Sequence, residues 1–179
     1  RQMCIRDSAN MWIGTYDGLH LYNGKNTFVF RMELDNEFSL CSNIVLEIAP
    51  AEKGYLWVAT SLGINKFSLR ERRVVKSYMQ YVDVENIASD SEGNTVLFSG
   101  EDFITCYRPG RAFFEDVYIP GVRAAEIVTV WSEAPRVFCT LGRDGELVRY
   151  RLNDGEGKSL VRVSGRQLSA RPVRKAFFN

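Results

Sequence analysis

Two stretches of the sequence decide the fold: residues 11–22 read MWIGTYDGLHLY, and residues 56–67 read LWVATSLGINKF. Each contains an apolar run with tryptophan at its second position, a two-residue gap, and a glycine that begins another apolar run. Trp12 and Trp57 stand 45 residues apart, so the stretches are two copies of one repeat. Because repeats of this length organise whole architectures, the copies predict a chain of successive equivalent units.

Two weaker copies continue the pattern toward the C-terminus. One begins at Val96, 39 residues after Trp57, and the next begins at Val137, 41 residues later. Periods of roughly 40 to 45 residues that contain several short strands are typical of β-propellers. The sequence therefore predicts an all-β fold, a β-propeller fragment of about four four-stranded antiparallel blades in an open arc.

Each unit has the pattern of four short strands. In the second unit, period-2 alternation and turn residues predict strands at 44–48, 56–60, 64–67 and 74–78. Residues 124–131 have a composition that a helix would tolerate, but the β-branched residues 127–130 favour a strand.

Small residues are expected in the second strand of each unit, where neighbouring blades crowd together. The candidates are Gly14, Ala59, Gly100 and Cys139. The large, rigid tryptophan that precedes the small residue would wedge between blades, because a single blade cannot cover both of its faces. We therefore interpret Trp12 and Trp57 as core residues, with stacking against a sugar as the alternative.

The repeat sets the expected domain boundaries. Residues 1–6 (RQMCIR) match no strand or helix pattern, and we interpret them as a junction segment outside the fold. The remainder, 7–179, is expected to form a partial propeller with units near 7–39, 40–80, 81–119 and 120–165, and with the start of a further blade at 166–179. An open arc would expose blade faces at both ends, which favours self-association, including a possible homodimer.

Composition excludes several functional classes. The 179 residues contain 23 Lys plus Arg and 22 Asp plus Glu, a net charge of +1, whereas nucleic-acid binding needs a clear basic excess. No apolar stretch approaches the roughly 18 residues that span a bilayer. Four widely spaced cysteines without a Cys-x-x-Cys pair argue against a zinc site, so no metal and no cofactor is expected. The thiols are interpreted as structural, and a disulfide between two of them stays open.

Catalytic candidates are weak. His20 is the single histidine and alternates with Leu19 and Leu21, which is typical of a structural residue. Glu115 and Asp116 are adjacent in a predicted strand and should point to opposite faces, which does not suit a general acid and base acting on one bond. No catalytic residue is therefore assigned.

Loops are the expected source of ligand contacts, because a propeller presents its variable residues there. The candidates are the two-residue gap at Tyr16 and Asp17, the long loop 33–42, and Arg108 in the segment 108–112. Residues 149–179 carry eight basic and two acidic residues. This basic segment is either a solvated blade edge or a surface that attracts acidic sugars.

Residues 7–19 (DSANMWIGTYDGL) closely resemble the two-component regulator propeller repeat, and residues 40–45 (LCSNIV) and 54–60 (GYLWVAT) match it again. Residues 91–94 (SEGN) are similar to it in the third copy. The residues that carry the repeat signature are Trp12, Gly14, Thr15, Gly18, Leu19, Trp57, Ala59, Thr60, Gly63 and Gly93.

The copies depart from the family pattern Asp-x-x-Gly-x-x-Trp at identifiable positions. The second copy has Ala51 in place of the aspartate, and the first copy is one residue short. Val96 and Val137 replace the tryptophan in the third and fourth copies. These departures affect the exact blade boundaries more than the fold.

The resemblance implies a function that composition alone does not. Such repeats are typical of the periplasmic sensor regions of hybrid two-component histidine kinases in Bacteroidetes, which detect glycan-derived oligosaccharides and control polysaccharide-utilisation genes. It implies a periplasmic location, an oligosaccharide ligand, and further blades and sensor domains as partners within the same chain. This fragment itself is not expected to be an enzyme. The alternatives are a passive protein-interaction scaffold and a fragment of a propeller glycosidase or lyase.

Overall fold

The computed structural model describes residues 3–7, 10–79, 83–100, 103–111, 113–117, 119–153, 160–168 and 172–173. These residues form sixteen β-strands and a single 3-10 helix, Ala124–Glu126. The strands make four four-stranded sheets, and within each sheet they lie in sequence order. The described part of the chain is all-β, as predicted, and each sheet is the four-stranded meander from which propellers are built.

The chain divides into two compact units, Arg1–Glu85 and Asn86–Asn179. The first unit holds two sheets. Sheet 1 consists of β1 Met3–Asp7, β2 Asn10–Thr15, β3 Gly18–Tyr22 and β4 Thr27–Phe30. Sheet 2 consists of β5 Val45–Pro50, β6 Tyr55–Thr60, β7 Gly63–Ser68 and β8 Arg73–Tyr78. The four strands predicted for the second repeat are confirmed to within one or two residues at each end.

The second unit holds the other two sheets, except that the first two residues of β9, Val84 and Glu85, belong to the first unit. Sheet 3 consists of β9 Val84–Ser89, β10 Thr95–Ser99, β11 Phe103–Tyr107 and β12 Glu115–Asp116. Sheet 4 consists of β13 Ile127–Ala134, β14 Val137–Gly142, β15 Glu146–Leu152 and β16 Leu160–Gln167. The predicted strand at 124–131 is confirmed from Ile127 onward, and the 3-10 helix precedes it.

Strand register shows that the two strong repeats are structurally equivalent. Three residues paired across sheet 1 correspond to three paired across sheet 2: Gly14, Leu19 and Phe30 to Ala59, Ile64 and Tyr78. Trp12 and Trp57 are 1% and 0% exposed, and each contacts the aromatic ring of the fourth strand, at 6.0 Å and 6.1 Å between ring centroids. Both tryptophans are therefore core residues in matching positions, as the repeat predicts.

The threonine and glycine of the signature close the hairpin between the second and third strands. The Thr15 hydroxyl donates to the Gly18 carbonyl at 3.1 Å, and the Thr60 hydroxyl donates to the Gly63 carbonyl at 2.9 Å. Both glycines have positive φ, 115° and 140°. A Cβ on Gly18 would lie 2.3 Å from the Phe30 carbonyl oxygen, so the close approach of the fourth strand requires glycine here.

Gly14 allows the first two sheets to meet. A Cβ at this position would lie 2.6 Å from Val45 Cγ1 of sheet 2. Ala59 is the corresponding small residue of sheet 2 and is fully buried. The prediction for Gly100 is wrong, because this residue follows β10 in a turn with φ 56°. Its place in the third sheet is taken by Phe98, which pairs with Ile104 and is fully buried.

Each unit has a core built between its own sheets. In the first unit, Trp12, Leu19 and Leu21 of sheet 1 pack with residues of sheet 2 that include Val58 and Phe67. A comparable cluster in the second unit joins sheet 3 to sheet 4, and it includes Val96, Phe98, Cys106, Phe138, Val148 and Tyr150. Every one of these side chains is at most 5% exposed, so blade-on-blade burial is the main stabilising contact within each unit.

Two expectations about boundaries need correction. The expectation that residues 1–6 lie outside the fold is wrong for residues 3–6, because Met3–Asp7 forms β1 and pairs with β2 along its whole length, from Met3 with Gly14 to Asp7 with Asn10. Residues 1 and 2 lie outside the described residues. At the other end, β16 continues to Gln167, so the first two residues assigned to a further blade complete the fourth sheet. Residues 174–179 lie outside the described residues, and the open arc stays a prediction.

Three cysteines of the described part have free thiols. Cys41, Cys106 and Cys139 are free thiols, and the side chain of Cys4 lies outside the described part. Cys106 and Cys139 are buried, which agrees with a structural role. No helix among the described residues is long and apolar enough to cross a membrane.

Candidate functional site

Topology places two kinds of connection at one end of each sheet. The turn between the second and third strands lies there, and so does the loop that leaves the fourth strand, because alternate strands of an antiparallel meander begin and end together. We call this the loop end. In sheet 1 it carries the turn at Tyr16 and Asp17 and the start of residues 31–44; in sheet 4 it carries residues 143–145.

Tyr16 and Asp17 form a well-ordered turn at the loop end of sheet 1. Tyr16 is 73% exposed. The Asp17 carboxylate accepts two hydrogen bonds from Arg31, at 3.0 Å from Nε and 2.6 Å from Nη2. This bond lowers the pKa of Asp17 and raises that of Arg31. The Asp17 N–H also donates to the Thr15 hydroxyl at 3.0 Å, so the exposed ring of Tyr16 is presented by a fixed turn.

The long loop predicted at 33–42 is held by its own hydrogen bonds. The Ser39 hydroxyl accepts from the Glu33 N–H at 3.0 Å, and Asn36 Nδ2 donates to the Glu33 carboxylate at 2.6 Å. Beside it lies a groove of about 560 Å³, where the Arg73 guanidinium lies 4.2 Å from the ring centroid of Phe38. The loop is therefore a preformed surface rather than an unstructured connection.

Arg108 lies elsewhere. It follows β11, so it is at the opposite end of its sheet from the loop end. Its Nη1 bonds Glu115, and its Nη2 donates to the Asn153 carbonyl at 2.7 Å. With its side chain 12% exposed, Arg108 connects sheet 3 to the end of β15 and is not brought together with the loop-end residues of its own sheet. Ala112, the end of that predicted segment, lies outside the described residues.

A cavity of about 430 Å³ opens at the loop end of sheet 4, and sequence reasoning did not find it. Its walls come from the connection before β13, the turn after β14 and the last strand. The lining residues are Gly121, Val122, Arg123, Glu126, Ile127, Thr140, Gly142, Arg143, Asp144, Glu146, Val148, Tyr150, Arg162 and Pro172. The sequence feature that overlaps the cavity lining is the basic segment 149–179, which supplies Arg162.

The cavity has balanced charge. Three guanidinium groups face three carboxylates, and Arg162 forms an ion pair with Glu146 across β15 and β16. Arg143 Nε donates to the Ala125 carbonyl at 3.1 Å. Tyr150 lies in the floor, where burial raises the pKa of its phenol. The lining offers donors, acceptors and an uncharged hydroxyl, together with apolar surface.

Arg149, a second strand arginine of the basic segment, is paired as well. Its Nη2 lies 2.5 Å from the Glu133 carboxylate, on the face of sheet 4 opposite the cavity. Arg149 and Arg162 therefore do not converge on one anionic ligand, which favours the interpretation of this segment as a solvated edge.

The catalytic candidates show no convergent chemistry. His20 lies in β3, half-buried between Leu19 and Leu21. Glu115 pairs with Arg108, whereas the adjacent Asp116 is exposed. Among the described residues no group of His, Cys, Asp and Glu is arranged to hold a metal ion.

Asp90 is a buried carboxylate of the second unit that accepts four hydrogen bonds, and its role is structural. Its Oδ1 accepts from the N–H groups of Glu92 and Asn94, both at 2.9 Å. Its Oδ2 accepts from Asn94 Nδ2 at 2.8 Å and from the Arg136 N–H at 2.7 Å. Gly93, with φ 85°, completes this turn. The aspartate of the repeat thus ties the first hairpin of sheet 3 to the first hairpin of sheet 4.

Comparison with solved structures finds β-propellers. The extracellular domain assigned to a hybrid two-component system of B. thetaiotaomicron matches with a TM-score of 0.61 and 19% identity, over 82% of this chain and 19% of that chain. A second extracellular domain of this kind from the same organism has a TM-score of 0.64 and 17% identity, over 89% and 22%. The WD40 repeats of RRP9 have a TM-score of 0.66 and 11% identity, over 89% and 49%.

At these identities the likeness establishes the fold, which is that of β-propeller blades. The chain spans about a fifth of the two extracellular domains and about half of the WD40 structure. Neither the comparison with protein-family models nor the comparison with curated protein sequences finds a match.

Proposed function

We propose that this chain is part of the ligand-sensing propeller of an extracytoplasmic sensor region in a hybrid two-component system. The observation that carries the proposal is the coincidence of two likenesses. The repeat signature at Trp12 and Trp57 occupies matching core positions, and the same four-sheet fold recurs in two extracellular domains assigned to such systems. The finer parts of the proposal are a periplasmic location, an oligosaccharide ligand derived from glycans, and control of polysaccharide-utilisation genes.

The mechanism of such a sensor is a shift between two states. A ligand changes the output only if it binds one state more tightly than the other, whatever its total affinity. Fixed turns such as Tyr16–Asp17 and a cavity of about 430 Å³ in sheet 4 supply surfaces on which such a difference can be built. The signal would then pass through blade-on-blade contacts, because packed interfaces respond as units.

A passive protein-interaction scaffold is the second candidate. It is favoured by the likeness to WD40 repeats and by exposed apolar residues on loops, with Leu34 86% and Tyr16 73% exposed. A glycosidase or lyase has no comparable support, since Glu115 and Glu146 are paired with arginines and Asp90 holds a turn.

Ligand-dependent stability separates the two candidates. The chain is heated with a panel of neutral and acidic oligosaccharides, and the unfolding midpoint and the binding heat are measured. A sensor ligand at about 100 times its Kd stabilises the folded state by about 2.7 kcal/mol, which is a clear rise in midpoint. The same ligand should change autophosphorylation of the kinase in a longer protein that carries this propeller. No rise with any member of the panel, or binding without a kinase response, would contradict the sensor function.

A further inference from the structure

The cavity of sheet 4 occupies a place that is filled in sheet 2. Register aligns the two sheets, because Val45 pairs with Thr60 as Ile127 pairs with Gly142. On this alignment the pair of Val58 with Asn65 corresponds to the pair of Thr140 with Val148. One strand further out, Asn65 pairs with Ser77, and Val148 pairs with Gly165. The same two positions therefore carry Asn and Ser in one blade and Val and Gly in the other.

In sheet 2 these positions form a closed polar cluster. Asn65 Nδ2 donates to the Val58 carbonyl at 3.1 Å and to Cys41 Sγ at 3.2 Å. Its Oδ1 accepts from the Cys41 N–H at 3.1 Å and from the Ser77 hydroxyl at 3.0 Å. Asn65 is fully buried, so every bond it can make is made inside the protein. The loop before β5 fills this site.

In sheet 4 the loop before β13 leaves the corresponding site open, because Val148, which lines the cavity, and Gly165 have no polar side chain to hold that loop. Tyr150 is 1% exposed and forms the floor of the 430 Å³ cavity, and Arg162 reaches over it to Glu146. This volume falls in the range of roughly 300–1,000 Å³ that small-molecule sites have in proteins. Apolar surface from Val122 and Ile127 faces the charged side.

We propose that this cavity binds an uncharged saccharide; the inference rests on the proposed function and assigns its ligand site. Sugar hydroxyls both donate and accept hydrogen bonds, so they can use guanidinium donors and carboxylate acceptors together. The apolar wall suits the C–H face of a pyranose ring. The cavity lining has equal numbers of positive and negative groups, and this balance favours a neutral over an acidic saccharide. A uronate or sulfated sugar would need an arginine without a carboxylate beside it.

The test is titration calorimetry on the chain. The probes are neutral disaccharides of gluco, galacto, manno and xylo configuration, with digalacturonate as the acidic probe. We expect at least one neutral probe to bind and digalacturonate to bind at least tenfold more weakly. Val122→Trp places an indole in the cavity and should weaken the neutral probe at least tenfold, with the unfolding midpoint measured to verify that the variant is folded.

A second variant tests the charge balance without filling the cavity. Glu146→Gln leaves Arg162 without its carboxylate, so the preference should shift at least threefold toward digalacturonate. The matched control is Glu133→Gln, which removes the carboxylate of the other cross-strand pair, Glu133 with Arg149, on the opposite face of the same sheet. The control should leave both affinities unchanged.

The outcomes separate the site from the function. Neutral binding that survives Val122→Trp, or that Glu133→Gln and Glu146→Gln alter equally, overturns the site while the proposed function stands. Binding of digalacturonate alone overturns the neutral class. Binding of none of these probes overturns the site, whereas the proposed sensor function falls only if the panel of neutral and acidic oligosaccharides also gives no rise in the unfolding midpoint.

Discussion

The cores of the two units have larger and smaller side chains in opposite order along the second strand of a sheet. On the second strand of sheet 1, the two residues that face the core are Trp12 and Gly14, so a large side chain is followed by a residue without a side chain. On the second strand of sheet 3 the corresponding pair is Val96 and Phe98, a medium residue followed by a large one. All four positions are buried, so what the repeat preserves is a close-packed core at these positions rather than the identity of either residue.

The largest expected effect tests which residue of each pair is the wedge. Trp12→Ala and Phe98→Ala should each lower the free energy of unfolding by about 3–5 kcal/mol, because each deletes the largest buried side chain of its pair. Val96→Ala should cost clearly less, although it replaces the residue at the tryptophan position of the repeat. Urea unfolding followed by fluorescence and circular dichroism measures all three.

The comparison fails if Val96→Ala costs as much as Trp12→Ala, since the repeat position itself would then carry the stability. It also fails if Phe98→Ala lowers the free energy of unfolding only slightly. The Trp12 ring contacts Phe30 and Phe67 at centroid distances of 6.0 Å and 5.5 Å, so part of its cost comes from those pairs. Phe67→Leu serves as the control for that part.

A second prediction concerns the hairpin between the first and second strands of a sheet, which is compared between sheet 3 and sheet 2. Asp90→Ala should cost about 2–3 kcal/mol, because it removes the four hydrogen bonds that the buried Asp90 carboxylate accepts. Ala51 occupies the equivalent place in sheet 2, where the turn closes by a backbone bond from the Ala51 N–H to the Tyr55 carbonyl at 3.1 Å. Ala51→Gly should therefore cost clearly less. Equal losses in the two variants would show that the carboxylate adds nothing to the turn.

Third, Gly14→Ala should destabilise the first unit, although alanine normally suits a strand better than glycine. The new Cβ would lie 2.6 Å from Val45 Cγ1, and overpacking of this kind costs about 1–3 kcal/mol. The double variant Gly14→Ala with Val45→Ala should recover most of the loss, because the clash is removed. A neutral Gly14→Ala would mean that the two sheets can separate without penalty.

The sequence predicted the repeat, the strands and the buried tryptophans, because these follow from local periodicity. It misplaced Gly100, since a glycine in an apolar run can mark either a packed strand or the turn that follows it. It also excluded residues 1–6, because β1 is recognisable only through its pairing with β2. Pairing partners lie outside any local pattern.

The candidate site was predicted only in part, for a related reason. The turn at Tyr16 and Asp17 was predicted because the two-residue gap within one copy of the repeat is visible in a single stretch of sequence. The cavity of sheet 4 draws Arg123, Glu146 and Arg162 from three separate segments. The correspondence between this cavity and the filled site of sheet 2 depends on register, which the sequence alone does not fix. Arg108 was selected as a loop residue, but the end of the sheet at which a loop lies depends on strand order.

A fourth prediction concerns pH and distinguishes the second unit from the first. Burial raises the pKa of Cys139 and of Tyr150 above their usual values of 9.0 and 10.0. Above those values the unfolded chain loses protons that the folded chain retains, so the free energy of unfolding should fall as pH rises past about 9. Urea titrations between about pH 8 and pH 10.5 measure this fall. Cys139→Ala should make it shallower and Tyr150→Phe should remove its upper part; an unchanged profile in both variants would contradict this origin.

The smallest effect is expected at the exposed turn of sheet 1. Asp17→Asn removes the ion pair with Arg31, but both side chains lie in water, 64% and 46% exposed, where such pairs contribute little and salt screens them. The unfolding midpoint at pH 7 should therefore stay within experimental error, in contrast to Asp90→Asn in the buried turn of sheet 3. Because the pKa of Asp17 is lowered, whatever the pair contributes is present above the usual aspartate value of 3.8 and disappears as pH falls through the lowered pKa. A drop of several degrees in Asp17→Asn at pH 7 would mean that this turn supports the first unit as firmly as Asp90 supports the second, and the contrast between the exposed and the buried turn would then be lost.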